Sequence, residues 1–224
     1  MLPTSSELLM RLSHELRTPL TTIIGLSEMM EGQAEDEAGY AQRIRTNGTN
    51  LLRLIEDILK LARLTGGEIV TDVHSLSVDE VLEAADQTHR EMIDRAGLRL
   101  VVGKAPDCPP RIEADAELLQ LSLRCILENA IKFAGRGTIW LRAERSTAGG
   151  VALAVQDEGP GVPTDLAELI FDDFRQGDER IDREHHGAGL GLALARRALG
   201  AMRGRLELLR SVRGACFSLE LPSE

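Results

Sequence analysis

The 224 residues of this chain allow one large domain or two small ones, each able to bury a core. A net charge of −10 disfavours a general nucleic-acid binder, which needs a basic face, and three scattered cysteines without a CxxC pair disfavour a disulfide framework or a cysteine zinc site. No uncharged apolar stretch reaches the ~20 residues that span a bilayer, and no signal peptide is visible, so we expect a cytoplasmic chain, alone or as part of a larger, membrane-bound protein.

The first 65 residues have the periodicity of two long helices. Apolar residues recur at three- and four-residue steps over residues 8–30, and the polar residues 31–39 predict the turn between the helices. The second helix has heptad spacing, carried by Ile44, Leu51, Leu54, Ile58 and Leu61. Two such helices cannot cover their apolar faces alone. The periodicity leaves open a four-helix bundle with a second copy and a seam against the rest of the same chain.

A domain boundary is predicted at Gly66 and Gly67, where the helical pattern ends. Beyond it, helices and strands alternate, which predicts an α+β layer with helices on one face of a sheet. The predicted elements are a helix from Ser77 to about Arg95, a strand over residues 98–102, a helix from Asp115 to Phe133, strands over residues 138–145 and 151–155, a helix after Gly191, and a hairpin of residues 205–210 with 216–221.

The first predicted helix contains a histidine in a chemically suggestive setting. His14 can be neutral near pH 7 and present a nucleophilic ring nitrogen, and the carboxylate of Glu15 can hold the proton on the other nitrogen. Thr18 lies one turn above His14 on the same face, where its hydroxyl can orient a water. Pro19 lacks an N–H and should kink the helix beside the nucleophile.

Two further segments have the residue types of a nucleotide site. Asn129 and Lys132 share one face near the end of a predicted helix, and their amide oxygen and ammonium suit Mg²⁺ and phosphate. Asp157 follows a strand and precedes Gly159 and Gly161, so a carboxylate can accept a hydrogen bond from an exocyclic amine while the glycines let the backbone approach a base.

A glycine-rich segment opens the last predicted helix. Backbone N–H groups at a helix start favour anions, and this start contains Gly187, Gly189, Leu190 and Gly191. It follows the Asp157 segment by about thirty residues. Each of these short motifs is weak evidence when it stands alone.

Together, and in this order, the motifs resemble those of sensor histidine kinases. All eight residues over 13–20 are identical to the H-box of that family. Residues 129–133 resemble its N-box, 157–161 and 187–192 its two glycine boxes, and 170–176 its F-box. Two positions depart from the family: Cys125 stands where a second asparagine is usual, and Ala215 stands where serine or threonine is common.

The resemblance implies a fold, a reaction and a set of site residues. Residues 1–66 would be a dimerisation and phosphotransfer α hairpin, forming a dimeric four-helix bundle, and residues 67–224 an α+β two-layer ATP-binding sandwich. His14 would be phosphorylated from ATP and pass the group to a response-regulator receiver domain, whose dephosphorylation Thr18 would assist. The nucleotide would contact Asn129 through Mg²⁺, and would also contact Lys132, Phe133, Asp157, Gly159, Gly161, Arg175, Gly187, Gly189, Leu190 and Gly191, under a lid of residues 177–186.

Two other classes of protein share part of this pattern. A catalytically weak, nucleotide-binding signalling scaffold is favoured by Cys125, because a thiol is a poor Mg²⁺ ligand. An ATPase of the chaperone or topoisomerase type would have the glycine boxes but not the segment around His14.

Overall fold

The computed structural model describes residues 5–32, 37–147, 149–172 and 189–222. Helices α1 (Ser5–Gly32) and α2 (Glu37–Thr65) form an N-terminal hairpin. The turn was predicted over residues 31–39, but α1 continues to Gly32 and α2 begins at Glu37. Residues 33–36 between them lie outside the described residues. None of the described helices is long and apolar enough to cross a membrane.

The remainder is an α+β sandwich. Five strands, β2 (Leu98–Lys104), β4 (Gly137–Arg145), β5 (Val151–Gln156), β6 (Arg205–Leu209) and β7 (Cys216–Leu221), form a sheet in the order β2-β4-β5-β7-β6. Only β2 and β4 pair in parallel; the other neighbours are antiparallel. Two short strands, β1 (His74–Ser77) and β3 (Arg111–Ala114), pair separately and were not predicted, because four residues carry too little periodicity.

Three helices cover one face of the sheet: α3 (Val78–Arg95), α4 (Ala116–Ala134) and α5 (Gly191–Ala201). Along β2, Leu98 and Leu100 are buried whereas Arg99 and Val101 are exposed, as expected when only one face of a sheet is covered. The predicted helices and strands of this region are therefore confirmed.

Local chemistry explains where two of these helices begin. Ser77 accepts a hydrogen bond from the Glu80 N–H (3.4 Å) at the start of α3. Asp115 caps α4 more strongly, because its Oδ1 accepts from the N–H groups of Glu117 and Leu118 at 3.0 and 3.1 Å. Its Oδ2 accepts from the N–H of Asp72, which ties the segment after α2 to the start of α4.

Helix α2 packs against the α+β sandwich as well as against α1. Leu61 is buried in the main hydrophobic core. Two ion pairs continue the contact: Arg53 meets Glu128 at 2.7 Å, and Arg124 meets Asp57 at 2.6 Å. The seam within the chain, one of two arrangements open from the heptads, therefore forms over the C-terminal half of α2.

A second apolar stripe of the hairpin stays uncovered. Its side chains are between 41 and 59% exposed, and they are Leu20, Ile24, Leu52, Ile55 and Leu59. Exposed apolar residues at three- and four-residue steps along a helix are typical of an interaction site. These exposed residues are therefore available for the other arrangement, in which the hairpin pairs with a second copy.

Candidate functional site

The predicted nucleophile lies inside α1. The backbone at His14 is helical, and its side chain lies outside the described ones. Helix α1 runs through Pro19, which cannot donate to the Glu15 carbonyl one turn earlier. Glu15 is half-buried and Thr18 is exposed, and the Thr22 hydroxyl donates to the Thr18 carbonyl at 3.0 Å.

Helices α1 and α2 contact each other as the two arms of the hairpin, and this pairing sets the level of His14 along it. His14 lies 18 residues before the end of α1, and Ile55 lies 18 residues after the start of α2. The two therefore stand at about the same height. Arg53 and Asp57 lie two residues before and after Ile55, so the ion pairs to α4 form at a level of α2 near that of His14 in α1.

Asp157 sits at the end of β5 in a buried position, with 3% of its surface exposed. Its Oδ1 accepts hydrogen bonds from the N–H groups of Gly159 at 2.7 Å and Ala215 at 3.2 Å. Burial raises the pKa of Asp157, and the two N–H bonds oppose that rise. Its Oδ2 belongs to neither bond, so one oxygen is held by the protein and the other can accept from a ligand amine.

The glycines around Asp157 are required by contacts within the protein. A Cβ on Gly159 would lie 2.6 Å from the Phe133 carbonyl oxygen, and one on Gly161 would lie 2.9 Å from the Gly214 carbonyl oxygen. Gly214 has φ +70°, and a Cβ there would collide with the Asp157 carbonyl. The sequence predicted that these glycines let the backbone approach a base. The structure gives them a second role, because they let the Asp157 loop touch two neighbouring backbones.

The end of α4 meets the same loop. Asn129, Lys132 and Phe133 are half-buried, and the Lys132 Nζ lies 4.6 Å from the centre of the Phe133 ring, within cation–π range. The Phe133 carbonyl is the group against which Gly159 packs. The structure thus brings together the N-box and first glycine box residues, which are about thirty positions apart in the sequence.

Cys125 has a packing role that its sequence position did not indicate. Its thiol is buried, burial raises its pKa to about 12, and sulfur is a poor ligand for the hard Mg²⁺ ion. Its Cβ lies 3.6 Å from where a Cβ on Gly191 would be, so α4 and the first residue of α5 are in close contact. Of the two α4 positions, Asn129 has the oxygen ligand that Mg²⁺ prefers, and this ion needs few protein ligands when phosphates supply others.

The start of α5 is described only in part. Gly189 has φ +65°, Leu190 is buried, and Gly191 is the first helical residue. Gly187, Arg175 and the predicted lid over residues 177–186 lie outside the described residues. The described part of the F-box forms a 3-10 turn, Leu169–Phe171.

Side chains that the motifs did not indicate support this end of the sandwich. The Phe171 ring meets the Phe217 ring edge to face, with centroids 6.2 Å apart, and the Arg196 guanidinium lies 5.4 Å from the centre of the Phe171 ring. Glu158 joins two further segments through Thr138 and Arg213. No local pattern could have found these contacts, because the partners lie 20 to 55 positions apart.

Two family models match separate parts of the chain. Residues 4–67 match the family model described as His Kinase A (phospho-acceptor) domain. Residues 114–224 match the model described as histidine kinase-, DNA gyrase B-, and HSP90-like ATPase. The two matches contain His14 and Asp157 respectively.

Curated relatives extend the likeness over nearly the whole chain. The chain is 35% identical to the non-motile and phage-resistance protein of Caulobacter vibrioides, covering 97% of this chain and 27% of the relative. It is 32% identical to the sensor histidine kinase AruS of Pseudomonas aeruginosa, covering 96% and 22%. The chain therefore spans about a quarter of the length of these relatives.

Solved structures share the arrangement. The Acinetobacter baumannii histidine kinase AdeS superposes with a TM-score of 0.75, covering 93% of this chain and 97% of that one, and at 20% identity this likeness concerns the fold. Full-length ShkA in complex with AMPPNP is 29% identical with a TM-score of 0.72, covering 98% of this chain and 46% of that one.

We expect Gly214→Ala to destabilise the protein by about 2 kcal/mol or more, because a side chain would have to adopt φ +70° and displace the Asp157 carbonyl. Gly200→Ala is the matched control: this glycine is in α5, with nothing within 4 Å of an added Cβ, so alanine should stabilise by up to about 1 kcal/mol. Chemical denaturation would measure both. Equal effects of the two substitutions would contradict the contact.

Proposed function

Since the chain belongs to the histidine kinases, with a phospho-acceptor domain followed by an ATP-binding domain, we propose that it phosphorylates His14 from ATP and passes the phosphoryl group to an aspartate of a response-regulator receiver domain. The main support is the docking of α4 onto α2, through Arg53–Glu128 and Asp57–Arg124, at the height of His14. We propose residues 1–66 and 67–224 as the two functional units.

The proposed reaction is a displacement at phosphorus. A ring nitrogen of His14 attacks the γ-phosphorus of ATP, the bond between that phosphorus and the bridging oxygen breaks, and ADP leaves. The imidazole becomes cationic as the bond forms. The Glu15 carboxylate, next in the chain, stabilises that cation and holds the proton on the other ring nitrogen.

The nucleotide site combines three segments. Asp157 accepts a hydrogen bond from the adenine amine through Oδ2, beside the close-packed backbone of Gly159 and Gly161. Asn129 would hold Mg²⁺, which neutralises charge on the phosphates. Lys132 contacts phosphate next to Phe133.

The phosphates extend from there to the start of α5. Backbone N–H groups of Gly187, Gly189, Leu190 and Gly191 would bind them, and we assign Arg175 or Gln176 to the γ-phosphate. Full-length ShkA was solved with AMPPNP, an ATP analogue, which supports nucleotide binding by this fold.

A receiver domain would dock on the hairpin beside His14. The histidine kinase ThkA, similar in fold with a TM-score of 0.74, was solved with the response regulator TrrA. LuxQ of Vibrio cholerae, 30% identical over 98% of this chain, is named a sensor kinase/phosphatase. We extend the proposal to dephosphorylation of the regulator, with the exposed Thr18 orienting water.

The exposed stripe of the hairpin supports a homodimer. Burying Leu20, Ile24, Leu52, Ile55 and Leu59 against the same residues of a second copy would complete a four-helix bundle. The chain would act in the cytoplasm, where ATP is available, as part of a longer protein, because it spans about a quarter of its relatives.

A catalytically weak signalling scaffold is the alternative that one observation favours. Cys125 stands where a second asparagine is usual, and its buried thiol is a poor ligand for Mg²⁺. The two proposals differ in whether γ-labelled ATP gives an acid-labile, base-stable phosphate on the chain. Its complete absence would favour the scaffold.

His14→Ala should abolish labelling by γ-labelled ATP and leave ATP affinity within about twofold, because acceptor and nucleotide sites are on different units. His74→Ala, an exposed histidine beside Asp72, is the control and should be labelled normally. Labelling of His14→Ala would exclude His14 as the acceptor. Asp157→Asn should instead weaken ATP binding.

Replacing both Leu52 and Ile55 by glutamate should convert the dimer to a monomer, because four charges would enter the bundle core. Light scattering at micromolar concentration measures the mass. Val212→Glu is the control, since Val212 is fully exposed in the β6–β7 connection. A dimer that persists in the double variant would contradict the proposed interface.

Thr18→Ala should keep autophosphorylation and lose most dephosphorylation of the regulator, because the hydroxyl that positions water is gone. Thr18→Ser, which keeps a hydroxyl, should retain the activity, and Thr21→Ala, exposed in the same helix, should behave like the unaltered chain. If Thr18 only supports the backbone near Pro19, both activities and thermal stability should fall together. That outcome, or an unchanged dephosphorylation rate, would refute the assignment.

A further inference from the structure

Glu158, the residue after Asp157, holds two separate segments at once. Its Oε2 accepts from the Thr138 N–H at the start of β4 (2.8 Å), and its Oε1 pairs with the Arg213 guanidinium in the β6–β7 connection (3.0 Å). The Glu158 side chain is 21% exposed. A Cβ on Gly137 would collide with its carboxylate, so the start of β4 is shaped to admit it.

The β6–β7 connection is fixed from the other side too. The Ser211 hydroxyl accepts from the Gln156 side-chain amide at 3.2 Å and donates to the Arg213 carbonyl at 2.6 Å. The residues that follow Arg213 are Gly214, whose backbone packs on the Asp157 carbonyl, and Ala215, whose N–H bonds to Asp157 Oδ1. The Asp157 N–H also donates to the Ala215 carbonyl at 3.0 Å, so a shift of this connection would disturb both bonds between Ala215 and Asp157.

We propose that Glu158 and Arg213 form a clasp that positions Asp157 for adenine, by holding the Ala215 N–H on Oδ1 and so leaving Oδ2 to the amine of the base. The inference rests on the proposed function, and it deepens it by naming residues that set base selectivity. Neither Glu158 nor Arg213 contacts the nucleotide in this scheme; both act through Asp157. The clasp joins β4, the Asp157 loop and the β6–β7 connection.

A clasp of this kind predicts a specific pattern of effects. With the connection loosened, Asp157 can turn Oδ1 away from Ala215, and the oxygen facing the base is no longer set. Binding of ATP, whose base carries the amine, should then weaken. Binding of inosine triphosphate, whose base carries an oxygen at that position, should change little. Once ATP is bound, the phosphoryl transfer should proceed at the same rate, because the clasp is distant in the chain from the phosphate-binding segments.

The experiment measures dissociation constants for ATP and inosine triphosphate, and KM and kcat for autophosphorylation, on the full chain. Glu158→Gln keeps an acceptor for the Thr138 N–H but loses the ion pair, and Arg213→Ala loses the same pair from the other side. Each should weaken ATP binding about two- to fivefold, the span expected for an exposed ion pair. The double variant should be no weaker than either single variant, since both remove one interaction. Arg213→Lys should restore most of the affinity.

Controls separate this inference from the proposed function. Arg210→Ala removes one positive charge from the same connection and should leave ATP affinity unchanged. Effects of Glu158→Gln and Arg213→Ala that multiply, an unchanged preference for ATP over inosine triphosphate, or a fall in kcat with KM unchanged would each overturn the clasp. If Asp157→Asn weakens ATP binding while the clasp variants do not, the clasp alone is wrong. If Asp157→Asn has no effect, the proposed adenine site is wrong and the clasp falls with it.

Discussion

The close approach of two backbones at Asp157 is the constraint on which the candidate site depends. The loop after β5 touches the β6–β7 connection so tightly that Gly161 and Gly214 have no room for a side chain. That contact lets the Ala215 N–H reach a buried carboxylate, whose ionised form would otherwise be costly. Burial still raises the pKa of Asp157, and the hydrogen bonds from the Gly159 and Ala215 N–H groups lower it in part.

A second constraint links this site to the hairpin. Arg124 and Glu128 lie on the face of α4 that meets α2, Lys132 follows Glu128 one turn later on the same side of the helix, and Asn129 is the residue after Glu128. The contact with the hairpin therefore fixes the orientation of Asn129 and Lys132 relative to α2. Partly buried pairs of this kind add modest stability and mainly define orientation, and breaking one of them would leave a charge without its partner.

Cys125 illustrates how a departure from a family pattern can have a packing reason. As a ligand for Mg²⁺ it is poorer than asparagine, because this ion prefers oxygen to sulfur. Judged as a core residue it is suited to its place, since it is small and apolar enough for α5 to begin directly against α4. The proposed metal site then relies on Asn129 and the phosphates.

The helices, the strands of the larger sheet and the phospho-acceptor segment could be predicted from the sequence, because helix caps, periodicity and glycine boundaries are short-range properties. Ser77 and Asp115 identified helix starts, and residues 13–20 identified the phospho-acceptor segment. Chain folding decided the rest, because it joins residues distant in sequence. Glu158 pairs with Arg213 because the β6–β7 connection folds back onto the Asp157 loop, and Leu61 is buried because α2 docks on the sandwich. Strands β1 and β3 have four residues each, too few for a recognisable periodicity, and are defined by their pairing with each other.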